Sequence, residues 1–198
     1  MKKNLVVTAL IILLSCVFSC APALVNIQKP SEIPSSCILG NVNQLYQGMN
    51  ECGPTTLAMV LNYYGIKKSK DELKEDLRWH PEWGVSIQKM LGFPFNKLGL
   101  KDKVVWRGSI EEITQNISQN RPVIVRQWGS ERARLEGKMG HWLVAVGYDY
   151  AKRMIYLRDP QQGFRAVGYE DFLSLWDMSH HKSPSKNFMF VLIQENTK

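Results

Sequence analysis

Cys52 stands where a polar loop passes into a run whose apolar residues recur at helical spacing. The pattern predicts a helix over residues 52–64, ended by Gly65. At a helix N-terminus, free backbone N–H groups and the positive end of the helix dipole favour a thiolate over a thiol. Cys52 is therefore the candidate nucleophile of this sequence.

Two neighbours of Cys52 fit the same chemistry. Gln47 lies on the entering loop, where its side-chain amide can point to the same place as the Cys52 backbone N–H. Two such donors form an oxyanion hole, and each is worth about 3–4 kcal/mol to a transition state. Gly53 would let a substrate backbone approach without a clashing Cβ.

A nucleophilic cysteine also needs a base that later protonates the leaving group. His141 opens one β-branched and aromatic run, and Asp159 ends the next run. A short connection at residues 149–152 joins the runs as a hairpin, so residues 141 and 159 come to the same end. We expect His141 to be the base and Asp159 its orienter. Asp149, the competing acid, lies at the opposite, turn end.

The elements that must hold these residues fall into two groups. Capping boxes that begin at Ser69 and Ser109 predict two surface helices, with a short helix near residues 86–91. After Asn120 the sequence becomes rich in β-branched and aromatic residues, which predicts strands. These strands cover residues 122–128, 141–148, 153–158, 164–167 and 188–193, with a helix around 169–176. Helices followed by strands predict an α+β fold, with N-terminal helices packed on a C-terminal antiparallel sheet.

These motifs together resemble the bacteriocin-processing (double-glycine leader) cysteine peptidase family and its stand-alone relatives in the papain-like clan. The matching motifs are Gln47 with Asn50-Glu51-Cys52-Gly53-Pro54, Gly140-His141-Trp142, Gly147-Tyr148-Asp149 and Asp159-Pro160. The resemblance implies a papain-like fold and a Cys–His–Asp triad with a glutamine in the oxyanion hole. It assigns these roles to Cys52, His141, Asp159 and Gln47.

The sequence departs from that family in one respect. Members that mature bacteriocins usually precede a membrane span and an ATPase in one chain, and neither follows here. We therefore expect the same chemistry, but the resemblance does not imply that a double-glycine leader is the substrate. The expected reaction is thiol-dependent hydrolysis of a peptide or isopeptide-like amide in a peptide or protein substrate. The alternatives are a peptide-binding lipoprotein that does not cleave and an amide or acyl transferase that uses the same triad.

The N-terminus predicts export. Residues 1–4 are cationic, and residues 5–14 form an apolar run too short to span a bilayer, as in a signal peptide. Cys16 and Cys20 each follow a small residue, and both sites resemble a bacterial lipobox. We favour Cys20 as the lipidated residue, with Cys16 as the alternative; an uncleaved anchor and a plain secretory signal stay open.

The predicted organisation follows from this N-terminus. Residues 1–19 form a lipoprotein-type signal peptide, residues 20–40 a Pro- and Ser-containing tether, and residues 41–198 the papain-like peptidase domain. The domain would be held by lipid on the periplasmic or cell-surface side of a bacterial membrane, with export machinery as a possible partner. Cys37 lies in the tether, and a Cys37–Cys52 disulfide, which would block the nucleophile, is a further alternative.

Charge and histidine spacing exclude other classes of function. The net charge is 25 − 18 = +7, but the cations are spread along the chain, which does not favour nucleic acid binding. His80 and the adjacent pair His180-His181 lack the spacing of metal ligands, so we expect neither metal nor cofactor. Arg132, Arg134 and Lys138 are expected in a loop between two strands.

Overall fold

The computed structural model describes residues 27–137, 140–178 and 186–194. Cys16, Cys20 and the predicted signal peptide lie outside these residues, as do Lys138, His180 and His181. The helices are α1 (Cys52–Tyr63), α2 (Lys70–Asp76), α3 (Ile87–Leu91), α4 (Ile110–Ser118), α5 (Glu131–Glu136) and α6 (Tyr169–Trp176), with a 3-10 helix at Phe95–Leu98. The strands are β1 (Ser36–Ile38), β2 (Leu100–Val105), β3 (Val123–Trp128), β4 (Gly140–Asp149), β5 (Met154–Asp159), β6 (Gly163–Gly168) and β7 (Met189–Gln194).

The strands form one sheet in the order β2-β7-β3-β4-β5-β6, and β1 pairs with β4 beyond the end of β3. Every neighbouring pair is antiparallel. The helices α1 and α4 pack on β4, and α6 packs on β3. The α+β arrangement of helices on an antiparallel sheet is therefore confirmed.

Two strands, β1 and β2, lie before Asn120, where the sequence predicted helices and a tether. The edge strand β2 reads LKDKVV, and its charged residues, which suit a solvent-exposed edge, hide it from a search for apolar runs. The strand β1 lies within the predicted tether: Ser36–Ile38 pair with β4, and Ile33 and Ile27 pack against the core. The folded domain thus extends into residues predicted as a linker.

The helix α1 is buried from Cys52 through Leu61. It lies between β4 and α2, and a helix without a polar face suits a position enclosed by protein. Gly53 is required for this packing, because an added Cβ would lie 2.9 Å from the Val85 Cβ. The expectation that Gly53 opens space for a substrate backbone is wrong: this glycine admits the neighbouring Val85.

Both predicted capping boxes are present. The hydroxyls of Ser69 and Ser109 accept from the backbone N–H three residues later, and the side chains of Glu72 and Glu112 accept from the backbone N–H of these serines.

The segment after β3 was predicted to be a loop, and this prediction is wrong. It contains α5, where Ser130 Oγ accepts from the Ala133 N–H at 3.1 Å. Serine at that cap position begins the helix, which carries Arg132 and Arg134.

Candidate active site

Cys52 is the first residue of α1, and it is 8% exposed. The backbone N–H groups of Gly53 and Trp142 donate to its sulfur. Cys37 and Cys52 are both free thiols, so the alternative of a disulfide between them is wrong. The sulfur therefore lies among fixed donors that favour a thiolate.

His141 lies between Cys52 and Asp159. Its Nε2 is 2.9 Å from Asp159 Oδ1, and the ring also hydrogen-bonds the Cys52 sulfur. Because Asp159 engages Nε2, the nitrogen that remains for the sulfur is Nδ1. The structure thus brings together the three side chains that the sequence predicted to meet.

The pKa values of Cys52 and His141 are shifted in the directions that favour the ionised form of each. Burial by itself would raise the pKa of Cys52, but the hydrogen bond and charge of His141, together with the backbone N–H groups of Trp142 and Gly53, lower it. Burial would likewise lower the pKa of His141, yet the bonds to Asp159 and Cys52 raise it to about 9. At neutral pH these directions favour a thiolate beside an imidazolium.

Asp159 is fully buried at the end of β5. Its Oδ1 also accepts from the N–H groups of Gln161 at 2.8 Å and Gln162 at 3.2 Å, and its Oδ2 accepts from Arg165 Nη1 at 3.0 Å. Burial opposes its ionisation, but His141 and these donors hold the pKa of Asp159 at about 2. The carboxylate is therefore charged and fixed in one orientation.

The β4–β5 hairpin positions this pair. Val144 pairs with Arg158, so Asp159 reaches the end of β4 where His141 begins. Asp149, the alternative acid, lies at the turn end of β4, where it accepts from the Lys152 N–H at 2.9 Å.

Gln47 lies on a loop that is hydrogen-bonded to the end of β5. Its backbone N–H donates to the Pro160 carbonyl at 2.9 Å, and Gln44 Nε2 donates to the Asp159 carbonyl at 2.9 Å. The Gln47 side chain lines the same cleft as Cys52. Its amide oxygen is buried and accepts no hydrogen bond from the described residues.

Glu51, which directly precedes the nucleophile, was not singled out by sequence reasoning. Its carboxylate bonds Lys70 Nζ, Lys74 Nζ and the Gly48 N–H, each at 2.8 Å. Lys70 and Lys74 hold the pKa of Glu51 at about 2. The signal in the sequence is an acidic residue directly before one predicted helix and two lysines one turn apart on the next predicted helix.

The site opens into a cleft of about 660 Å³. One part of its lining is the loop at residues 82–85, on which Trp83 is 80% exposed. Asn50 holds this loop: its Nδ2 donates to the Pro81 carbonyl at 2.6 Å, and its own carbonyl accepts from Trp79 Nε1 at 2.7 Å. The cleft that contains Cys52 therefore also presents an exposed aromatic side chain.

The described residues contain no group of three or more His, Cys, Asp or Glu side chains placed to share a metal ion. Nor does any helix in the described parts of the chain have the length and apolar character needed to cross a bilayer.

A model of the Peptidase_C39 like family matches residues 39–184. The chain belongs to this family. The match includes Gln47, Cys52, His141 and Asp159, and the resemblance inferred from the sequence is confirmed at the level of the family. No curated protein matches this C39-like chain at a significant level.

Solved structures support the papain-like fold of this C39-like chain. A putative C39-like peptidase from Bacillus anthracis superposes with a TM-score of 0.65 at 20% identity, over 81% of this chain and 98% of that one. The peptidase domain of Streptococcus ComA, a bi-functional ABC transporter, superposes with a TM-score of 0.58 at 19% identity, over 78% of this chain and 99% of that one. A double glycine motif protease from an AMS/PCAT transporter, in complex with the leader peptide, superposes with a TM-score of 0.55 at 18% identity. The superposition covers 83% of this chain and 94% of that one.

Proposed function

We propose that this chain is a cysteine peptidase that hydrolyses a peptide bond through an acyl-thioester on Cys52. The Cys52 thiolate attacks the carbonyl carbon, and the Gln47 amide and the Cys52 backbone N–H stabilise the oxyanion that forms. His141, protonated in the ion pair, gives its proton to the departing amine. It then accepts a proton from the water that attacks the thioester and releases the acid product. Asp159 orients the imidazole in both steps.

The observation that carries this proposal is the continuous hydrogen-bonded series from the Cys52 sulfur through His141 to Asp159, at the edge of an open cleft. A buried structural cysteine in apolar surroundings would have a raised pKa and be inert. Cys52 instead receives two backbone N–H groups and an imidazole. Membership of a peptidase family and a fold shared with peptidases support the same assignment.

The test is cleavage of a mixed peptide library, read by mass spectrometry. The wild-type protein should cleave a subset of peptides, and Cys52→Ala should lose turnover while still binding them. Cys37→Ala is the matched control and should cleave as the wild type does. Cleavage by Cys52→Ala at the wild-type rate would refute the proposal.

The same experiment separates the two alternatives. A peptide-binding protein that does not cleave would retain library peptides and release no fragments even with Cys52 intact. A transferase would give Cys52-dependent products that carry an added amine when an amine such as hydroxylamine is supplied, with little hydrolysis in its absence.

We propose further that the protein is exported and held on a bacterial membrane by lipid at Cys20, with Cys16 as the alternative. The support is the cationic and apolar N-terminal pattern before these cysteines. Ile27 already packs against the core, so only residues 21–26 separate Cys20 from the domain, a reach of about 20 Å at full extension. The active site would therefore work close to the membrane surface.

The partners in this proposal are a peptide or protein substrate on that side of the membrane and an export system that supplies it. Two structurally similar proteins are peptidase parts of transporters, which supports the second partner. Cys20→Ala should move the protein from the membrane fraction to the soluble fraction and abolish lipid labelling, whereas Cys16→Ala should do neither. The opposite pattern would reassign the lipid to Cys16, and labelling in both variants would refute either assignment.

A further inference from the structure

Arg126 of β3 is a cation that lines the active-site cleft together with Cys52 and His141. Its Nε is buried and makes no hydrogen bond to the described residues, and its Nη1 donates to the Met178 sulfur at 3.6 Å. A guanidinium carries five N–H donors, and a thioether is a weak acceptor. No carboxylate of the described residues lies within ion-pair distance of Arg126, so most of its donors are uncommitted.

The position of this guanidinium is fixed by its neighbours. Arg126 pairs with Trp142 in the sheet, and its Cζ lies 5.8 Å from the centre of a Trp142 ring. It passes beside Gly140, where an added Cβ would lie 2.3 Å from Cζ. Gly140 is therefore the residue that lets the arginine reach the cleft next to His141. Burial lowers the pKa of Arg126 below its ordinary value, and the nearby Cys52 offsets only part of this effect.

The charges of the active site balance without Arg126. The Cys52 thiolate faces the His141 imidazolium, and the Asp159 carboxylate faces the Arg165 guanidinium. Among these buried groups of the site, one positive charge is therefore left over, on Arg126. A partly desolvated cation without a counter-ion is unfavourable in the free protein, and an anion that enters the cleft relieves this cost.

We propose that Arg126 binds a carboxylate of the peptide substrate. The identity of the ligand as a substrate rests on the proposed function, whereas the anion site itself does not. A carboxylate can accept two parallel N–H bonds from one guanidinium, which gives orientation as well as attraction. It could be an Asp or Glu side chain near the scissile bond or the C-terminal carboxylate of the peptide. Glu82, the acidic residue in the lining, is exposed on the Trp83 loop, where solvent screens its repulsion.

The anion site can be tested without any peptide by comparing two alkylating agents. With iodoacetate and with iodoacetamide, the Cys52 thiolate displaces iodide and forms a thioether. The reagents differ in the carboxylate of iodoacetate, so the ratio of their rates at Cys52 reports attraction of an anion. Mass spectrometry assigns the label to Cys52. Arg126→Gln should lower the ratio of iodoacetate to iodoacetamide rates by about tenfold or more, and Arg126→Lys should retain most of it.

Lys103→Gln is the control for net charge, because Lys103 is exposed on the edge strand β2. It should leave the ratio unchanged. An unchanged ratio in Arg126→Gln would overturn the proposal. Equal slowing of both reagents would overturn it too, since that result means that Arg126 only stabilises the thiolate.

Matched peptides then identify the source of the carboxylate. Once a cleaved sequence is known, Glu and Gln are exchanged at each position near the scissile bond, and the C-terminal acid is exchanged for its amide. One exchange should change kcat/KM by about 30–100-fold in the wild type and much less in Arg126→Gln. Equal kcat/KM for all pairs in the wild type would overturn the proposal. If no peptide is cleaved, the proposed peptidase function fails, and the alkylation ratio still decides on the anion site.

Discussion

Replacing Glu51 by glutamine should loosen the loop that presents the nucleophile. The Glu51 side chain is 11% exposed, and its carboxylate bonds three groups at 2.8 Å each: Lys70, Lys74 and the Gly48 N–H. Glutamine keeps the size and one acceptor but removes the negative charge. It therefore leaves two lysine ammonium groups facing each other without an anion between them.

The size of the effect follows from the pKa of Glu51, which falls from 4.5 to about 2 on folding. Such a change corresponds to about 3 kcal/mol of stability by linkage. The side chains of Lys70 and Lys74 are 32% and 25% exposed, and solvent screening at their ends leaves about 1–2 kcal/mol. Because the folded-state pKa is the lower one, this stability is present above pH 4.5 and is lost as pH falls toward 2.

The assay is urea unfolding of the wild type, Glu51→Gln and Glu75→Gln at pH 7 and pH 3. Glu75 is an exposed carboxylate on α2, so its variant controls for loss of one charge. Glu51→Gln should be less stable by about 1–2 kcal/mol at pH 7, and the difference should fall by more than half at pH 3. A difference that is independent of pH, or one equal to that of Glu75→Gln, would show that the Glu51 carboxylate does not stabilise the fold through Lys70 and Lys74.

Three further substitutions test other parts of the site. Asp159→Asn should lower kcat by about 10²–10⁴-fold with the fold intact by circular dichroism, since an amide cannot stabilise the imidazolium; a loss below about tenfold would argue against an orienting role. Gln47→Ala should lower kcat by about 10²–10³-fold in steady-state assays, and a change in KM alone would contradict an oxyanion role. Gly53→Ala should lower the free energy of unfolding in urea by about 1–3 kcal/mol, because the new Cβ meets Val85; an unchanged midpoint would show that the helix end can shift.

The sequence was sufficient to predict the meeting of His141 and Asp159. Both residues lie on strands joined by a short turn, and the alternation of a hairpin fixes which end each residue occupies. The same reasoning rejected Asp149. The helix that begins at Cys52 could also be predicted from the sequence, because its apolar residues continue for three turns.

The partners contributed by more distant elements could not be predicted in this way. Arg165 reaches Asp159 from β6, and Arg126 reaches the cleft from β3, and neither register can be read from one strand alone. The strand β1 has only three residues, too few for an alternating pattern. Such contacts depend on the packing of whole elements, which a local pattern does not encode.

The ion pair between Cys52 and His141 can be tested by measuring the rate of alkylation by iodoacetamide as a function of pH. Cys37 is an internal reference, because burial raises the pKa of its thiol. Cys52 should react much faster than Cys37 at pH 7, because its thiol ionises below the ordinary thiol pKa. The rate at Cys52 should show a second change near pH 9, where His141 loses its proton. Equal rates for the two thiols at pH 7, or a single rise for Cys52 at the ordinary thiol pKa, would show that Cys52 and His141 form no ion pair.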